Sequence, residues 1–228
     1  MNHKFALPED LVRGIRLNAV IDDLCKMIEI RSENPFDAPA REGYREQELG
    51  DFYLSRLSDL KFEVGSRNIV PGRPNIWGRL KGRGSGPTLM LAGHLDTVGT
   101  EGYDAPFAPR IEHNRVYGRR ACDMKAALAS YLEVARILVE SGIELSGDLI
   151  ILGTADEEWR LSGSRDVGNN GPRADFGVIG EPTSLAICPA HKGDYAVAIR
   201  TFGKSVHSSI PEQGHNAIED MGLIMPAT

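Results

Sequence analysis

His94 and Asp96 stand two residues apart where the apolar run LMLAG, residues 89–93, gives out. On an extended strand, positions i and i+2 face the same side, so an imidazole and a carboxylate meet where a core strand surfaces. A metal-bound imidazole usually gives its second ring N–H to a carboxylate, which fixes its tautomer and its aim. The spacing therefore fits one residue that binds a cation and a neighbour that orients it. Three more segment ends carry groups of the same kind. Asp123 follows VYGRRAC, the acids Asp156, Glu157 and Glu158 follow DLIILGT, and Glu181 follows FGVIG.

Each group has an ordinary explanation alone. Asp123 fits a helix cap, Glu157 and Glu158 a solvated turn, Glu181 before Pro182 a surface loop, and His94 a satisfied polar residue. Together they put a His or an acid at four element ends in succession. Carboxylates gathered on one rim repel and are costly to desolvate unless a cation sits among them. Mixed imidazole and carboxylate donors suit Zn, Co or Mn better than thiolate-loving ions. Cys122 is the one soft donor beside Asp123. The adjacent pair Glu157 and Glu158 divides naturally into one metal ligand and one proton carrier.

The elements that must bring these groups together follow from hydrophobic spacing. Leu17, Val20, Ile21, Leu24, Met27 and Ile28 recur at helical intervals, with Leu11 and Ile15 before them, which predicts a helix over residues 10–30. A second helix is expected from Arg45 to Leu60 and a third from Ala121 to Glu140. Strands are expected over Asn75–Leu80, Thr88–Ala92, Asp148–Thr154 and Phe176–Gly180. The unbroken apolar centre of DLIILGT is that of a strand covered on both faces. The link KGRGSGP matches neither GxGxxG nor GxxxxGK[ST], and reads as a turn between strands rather than a phosphate loop. Strands alternating with helices imply an α/β domain: a mixed, mostly parallel sheet with helices on both faces. In such sheets ligands bind outside the carboxyl ends of the strands, where the His and acids lie. From about residue 188 the style changes. DYAVAIRTFG alternates like an antiparallel strand with one wet face, and GHNAIEDMGLI opens a helix. The chain thus divides into residues 1–187 and the start of a smaller α+β domain at 188–228.

Bulk properties exclude several functions. The 228 residues carry a formal charge of −6 and no Lys/Arg cluster, which argues against nucleic acid as a partner. Cys25, Cys122 and Cys188 are scattered with no CxxC, the usage of a reducing compartment. The first residues lack a signal-peptide core, and no apolar run nears the roughly 20 residues of a membrane span. A cytoplasmic protein without membrane association is expected.

Five stretches, in order, resemble one family: LMLAGHLDTVG, YGRRACDMKAALA, GTADEEW, GEPTSL and TFGKSVHSSIPEQGHNAIEDM. The family is that of the co-catalytic metallohydrolases, which includes acetylornithine deacetylase, succinyl-diaminopimelate desuccinylase, aminoacylase and bacterial glutamate carboxypeptidase. The resemblance implies two divalent ions, zinc foremost, with cobalt or manganese as alternatives. His94 and Glu181 would hold one ion, Glu158 the other, and Asp123 would bridge them. Glu157 would be the general base and acid, Asp96 would orient His94, and His207 would polarise the substrate carbonyl from a lid domain, often across a homodimer. The implied reaction is attack on an amide of an N-acyl amino acid or small peptide by a hydroxide shared between the metals.

The chain departs from the family pattern in two places. The segment before the bridging acid normally reads G-x-G-x-x-D-x-K-G, and here Arg120 and Ala126 replace two of its glycines. Arg120 is thereby expected to project toward the substrate pocket; with Lys192 it is a hint of a carboxylate-bearing substrate. The family's last ligand is a His beyond the lid, and His3, His113, His191 and His215 match no ligand position. The resemblance therefore implies a second metal site short of one ligand and a truncated member of weak or absent activity. The alternative reading is a module that keeps the fold and binds without chemistry.

Overall fold

The computed structural model describes residues 9–36, 46–193 and 197–225. The predicted first helix is two: α1 (Glu9–Arg13) and α2 (Leu17–Glu29). They are separated at Gly14, a residue costly in a helix interior. Leu24, Met27 and Ile28 form the buried stripe of α2 at the expected spacing. Helix α3 (Glu46–Asp59) buries Leu49, Tyr53 and Leu57, one per turn; its predicted start at Arg45 lies outside the described residues. Strand β1 (Glu63–Val70) turns through Gly72, whose φ of +77° suits glycine, into β2 (Arg73–Leu80). Strand β3 (Leu89–His94) follows, then a hairpin of β4 (Arg110–Glu112) and β5 (Arg115–Tyr117). Residues Ala121–Lys125 form a π-type turn rather than the predicted helix start, and helix α4 (Ala126–Ser141) begins only after it. Strand β6 (Leu149–Thr154), helix α5 (Ser162–Asn170) and strand β7 (Phe176–Ile179) complete the first part.

Five strands make one mixed sheet in the order β1-β2-β6-β3-β7. β2 runs antiparallel to β1 and β6, while β3 runs parallel to β6 and β7. KGRGSGP is thus no hairpin turn: it crosses from β2 to β3 past β6. Its backbone rests on the segment before β6, with Gly84 and Gly86 N–H groups donating to the Ser146 carbonyl at 3.1 and 2.9 Å. Helices lie on both faces. On one, Ile76, Leu91 and Ile151 pack with the buried stripes of α2, α3 and α4, and Tyr53 Oη donates to the Leu128 carbonyl at 2.7 Å to join α3 to α4. On the other, Asn75, the neighbour of Ile76 and so turned the opposite way, donates to the Gly163 carbonyl of α5 at 2.9 Å. β7 forms an edge exposed at every residue.

The parallel register assembles the rim. His94 pairs with Thr154, and Ala92 with Ile179. The residues after Thr154 and Ile179 therefore emerge level with His94.

The chain separates into two compact units, Met1–Leu185 and Ala186–Thr228. In the second, reciprocal backbone bonds of 2.9 and 3.0 Å join Lys204 to His215. Helix α6 (Ala217–Ile224) starts at Asn216, whose side chain caps the Ile218 N–H. The antiparallel strand expected over DYAVAIRTFG is not present in its described part: Val197–Gly203 carries no ladder, and residues 194–196 lie outside the described residues. Alternation supplies a face for pairing, but a strand also needs a neighbour, and none is beside it among the described residues.

Helix α5 sits so close to the end of β6 that a Cβ on Gly163 would meet the Ala155 carbonyl at 2.1 Å, whereas one on Gly168 would meet nothing within 4 Å. Gly163→Ala is expected to lower stability by about 1–3 kcal/mol through overpacking, and Gly168→Ala to leave it unchanged or raise it by up to about 1 kcal/mol. Urea unfolding midpoints of the two variants check this.

Candidate metal centre

His94 closes β3 and is 2% exposed. Its Nδ1 lies 2.9 Å from the backbone carbonyl of Asp96 and 3.6 Å from the Asp96 carboxylate. The aiming contact is thus made chiefly by the main chain of Asp96. With Nδ1 so held, Nε2 faces three acids: Asp123 Oδ1 at 3.2 Å, Glu157 Oε2 at 3.9 Å and Glu181 Oε1 at 4.0 Å. Two sets of donors have one atom each within 4.8 Å of the others, His94 with Asp123 and Glu181, and His94 with Glu157 and Glu158. Of the sequence-predicted residues, His94, Asp96, Asp123, Glu157, Glu158 and Glu181 gather here; exposed Cys122 belongs to neither set. His207 lies in the second unit, exposed, with Nδ1 2.8 Å from Ser209 Oγ. Lys192, in the same unit, is also exposed.

The carboxylate of Asp96 has a further task. Glu157 N–H and Glu158 N–H donate to its two oxygens at 3.0 Å each, and Asn34 Nδ2 donates at 2.7 Å. Asn34 also donates to Asp156 Oδ1 at 3.0 Å. Arg73, at the start of β2, reaches Asp156 at 2.9 Å and pairs with buried Glu46. Asn34, Glu46 and Arg73 escape a search by motif, while Asp156, expected with the other acids at the end of its strand, joins them instead. Their one sequence signal is a third acid in the run Asp156–Glu158, more than a single ligand and a base require. Asp156 adopts φ +60° and turns away from the rim into this buried network.

Asp123 is placed by the π-type turn, entered through Arg120 at φ +59°; the Asp123–Met124 peptide is cis. Lys125, 1% exposed, anchors the turn by donating to the Met27 and Ile30 carbonyls at 2.7 and 3.1 Å, groups left open at the end of α2. The Arg120 guanidinium contacts Asp123 Oδ2 and, at 2.5 Å, Glu158 Oε1. A cavity of about 1040 Å³ opens beside this corner, lined by Val98, Tyr103, Arg119, Arg120 and Asp123 among others.

The charges do not balance. Burial works against a charged His94, yet Asp123, Asp96 and Glu157 outweigh it and push its pKa up to about 10. Burial likewise raises Glu157 and Glu181, and raises Glu158 to about 7 despite Arg120 and His94. Asp123 is held below its usual range by His94 first and by Arg120, and Asp96 by His94 and Asn34 against its burial. Asp96, Asp123, Glu157, Glu158 and Glu181 thus face one imidazole and one guanidinium. This donor set, one imidazole nitrogen with hard carboxylate oxygens, fits a divalent cation.

The network behind the rim sets its shape. Arg73→Ala leaves Glu46 and Asp156 buried without their cation and is expected to cost about 3–5 kcal/mol. Asn34→Leu leaves two carboxylate oxygens short of a donor and is expected to cost about 1–3 kcal/mol. Chemical denaturation of both variants beside the parent chain measures these losses.

Acetylornithine deacetylase of Vibrio cholerae is 42% identical over 174 residues, covering 74% of this chain and 45% of that protein. The chain thus spans about half the length of the curated relatives it matches. A tripeptidase structure from Staphylococcus aureus superposes with a TM-score of 0.69 at 19% identity, over 93% of this chain and 57% of the other. An M20 family metallo-carboxypeptidase from Sulfolobus solfataricus gives 0.59 at 20% identity, over 71% and 37%. These likenesses at low identity show the fold. Residues 90–221, more than half of the sequence, match peptidase family M20/M25/M40, and the chain belongs to that family.

Proposed function

We propose that the first unit is the metal-binding part of a hydrolase that cleaves an amide in an N-acyl amino acid or a short peptide, and that residues 188–228 begin its lid. The observation that carries this reading is the set of His94, Asp123 and Glu181 donors within 4.8 Å, with Glu157 3.9 Å from the same imidazole nitrogen. A divalent ion held by His94, Asp123 and Glu181 would polarise the scissile carbonyl and acidify a water. Zinc suits these donors, as do cobalt and manganese. The 42% identical relatives are acetylornithine deacetylases, which supports an acyl-amino-acid substrate.

The remaining steps fall to side chains. Glu157, raised by burial above its ordinary value, takes a proton from the attacking water and delivers it to the leaving nitrogen. Asp96 holds the Glu157 and Glu158 backbone while its carbonyl steadies the His94 ring. The cavity beside Asp123 offers room for the substrate, with Arg119 stacked 4.1 Å over the Tyr103 ring at its wall. His207, whose Nδ1 is tied to Ser209, keeps Nε2 for a ligand; we assign it the substrate carbonyl, from the same chain or from a second copy. One observation favours the alternative, a binding module that keeps the fold without chemistry: Arg120 already pairs with two of the acids.

Glu157→Gln is expected to lower kcat on N-acetylornithine or a dipeptide by about 10²–10⁴ while leaving bound metal unchanged. Metal content by mass spectrometry and rates on both substrates test this. A folded parent chain that retains no divalent ion refutes the metal centre and favours the module reading, and a metal-loaded one that turns over neither substrate refutes hydrolysis by this chain.

A further inference from the structure

The second metal position implied by the resemblance, between Asp123 and Glu158, does not fit a divalent ion while Arg120 is where it lies. The two oxygens of Asp123 face different partners: Oδ1 is 3.2 Å from His94 Nε2, and Oδ2 is on Arg120 Nη1. The other guanidinium nitrogen reaches Glu158 Oε1 at 2.5 Å. Arg120 thereby spans the two carboxylates a second ion would need, and its side chain is only 13% exposed. Asp123 and Glu158 also appear together in neither of the donor sets that could hold a cation.

This placement is built into the backbone. Arg120 adopts φ +59°, which a glycine adopts freely and a long side chain takes at some strain. The conformation directs the chain into the π-type turn three residues before Asp123. A guanidinium cannot be titrated away and carries one fixed positive charge. Glu158 Oε1 accepts no aligned hydrogen bond, so the pairing is one of close charge rather than of a bidentate fork.

We infer that Arg120 is a tethered cation standing in for the second metal, so that the centre takes a single divalent ion on His94, Asp123 and Glu181. The inference rests on the metal reading of this centre and concerns only how many ions it takes. A divalent ion placed between Asp123 and Glu158 would sit against the guanidinium, and like charges at contact distance repel strongly in a half-buried site.

The test is zinc stoichiometry and affinity of the 228-residue chain, by equilibrium dialysis with elemental analysis, and the visible spectrum of Co(II) titrated into it. The parent chain is expected to bind one equivalent, with any second at least about 100-fold weaker. Arg120→Gly relieves the positive φ and removes the charge; it is expected to tighten the second equivalent by about tenfold or more and to add a second set of Co(II) bands. Arg120→Asn, neutral and tolerant of the same φ, should behave alike, and covers the case in which the glycine variant folds poorly. Two equally tight equivalents in the parent chain overturn the inference and leave the hydrolase reading intact. One equivalent in the parent chain and one in both variants also overturns it. No bound metal in the parent chain defeats the underlying metal reading instead.

Discussion

Asp96 is the joint on which the site turns. Its buried carboxylate takes three hydrogen bonds, from Asn34 and from the backbones of Glu157 and Glu158. It thus ties the end of β3 to the end of β6 and to the segment after α2. Its carbonyl steadies His94 from the same backbone. A single residue therefore fixes both the imidazole and the acids that face it. Carboxylates with several N–H donors stay ionised even when buried, so the joint keeps its charge and adds to the negative field on the rim.

That field needs a supporting layer. Arg73 pairs with both Glu46 and Asp156 behind the rim, while Glu46 itself is pushed up to about 7 by burial and by the charge of Asp96. Asp156 remains below its usual range because Ser162, Asn34 and Arg73 outweigh its burial. The cation behind the rim is spent on the two acids beneath it. Those that face His94 are left short of positive charge, the condition under which a divalent ion gains most from binding.

The legible and illegible parts of this structure differ in range. The gathering of His94, Glu158 and Glu181 could be expected because parallel strands open on one rim and each group follows a recognisable apolar run, whereas Asp123 is brought there by the π-type turn. β6 was plain for the same reason: it is buried at every residue. β1 is not legible in the sequence, since EVGSRNIV is wet on both sides and its existence depends on pairing with β2. The alternating stretch after residue 188 erred the other way, with a suitable pattern and no ladder in its described residues. Asn34, Glu46 and Arg73 lie 60 or more, 50 and 23 residues from Asp96 in the chain, and only tertiary packing brings them under it. Arg120 was visible as an unexpected residue, but its partners depend on a turn that no helical periodicity predicts.

The open border at β7 carries its own consequence. Phe176, Val178 and Ile179 are each at least half exposed on a strand paired along one side with β3. Among the described residues no strand pairs with the other side of β7, and borders of this kind template further strands. A lysine or proline substituted there on the solvent side would act as a gatekeeper, and its benefit would be seen in solubility and storage life rather than in ion binding or turnover.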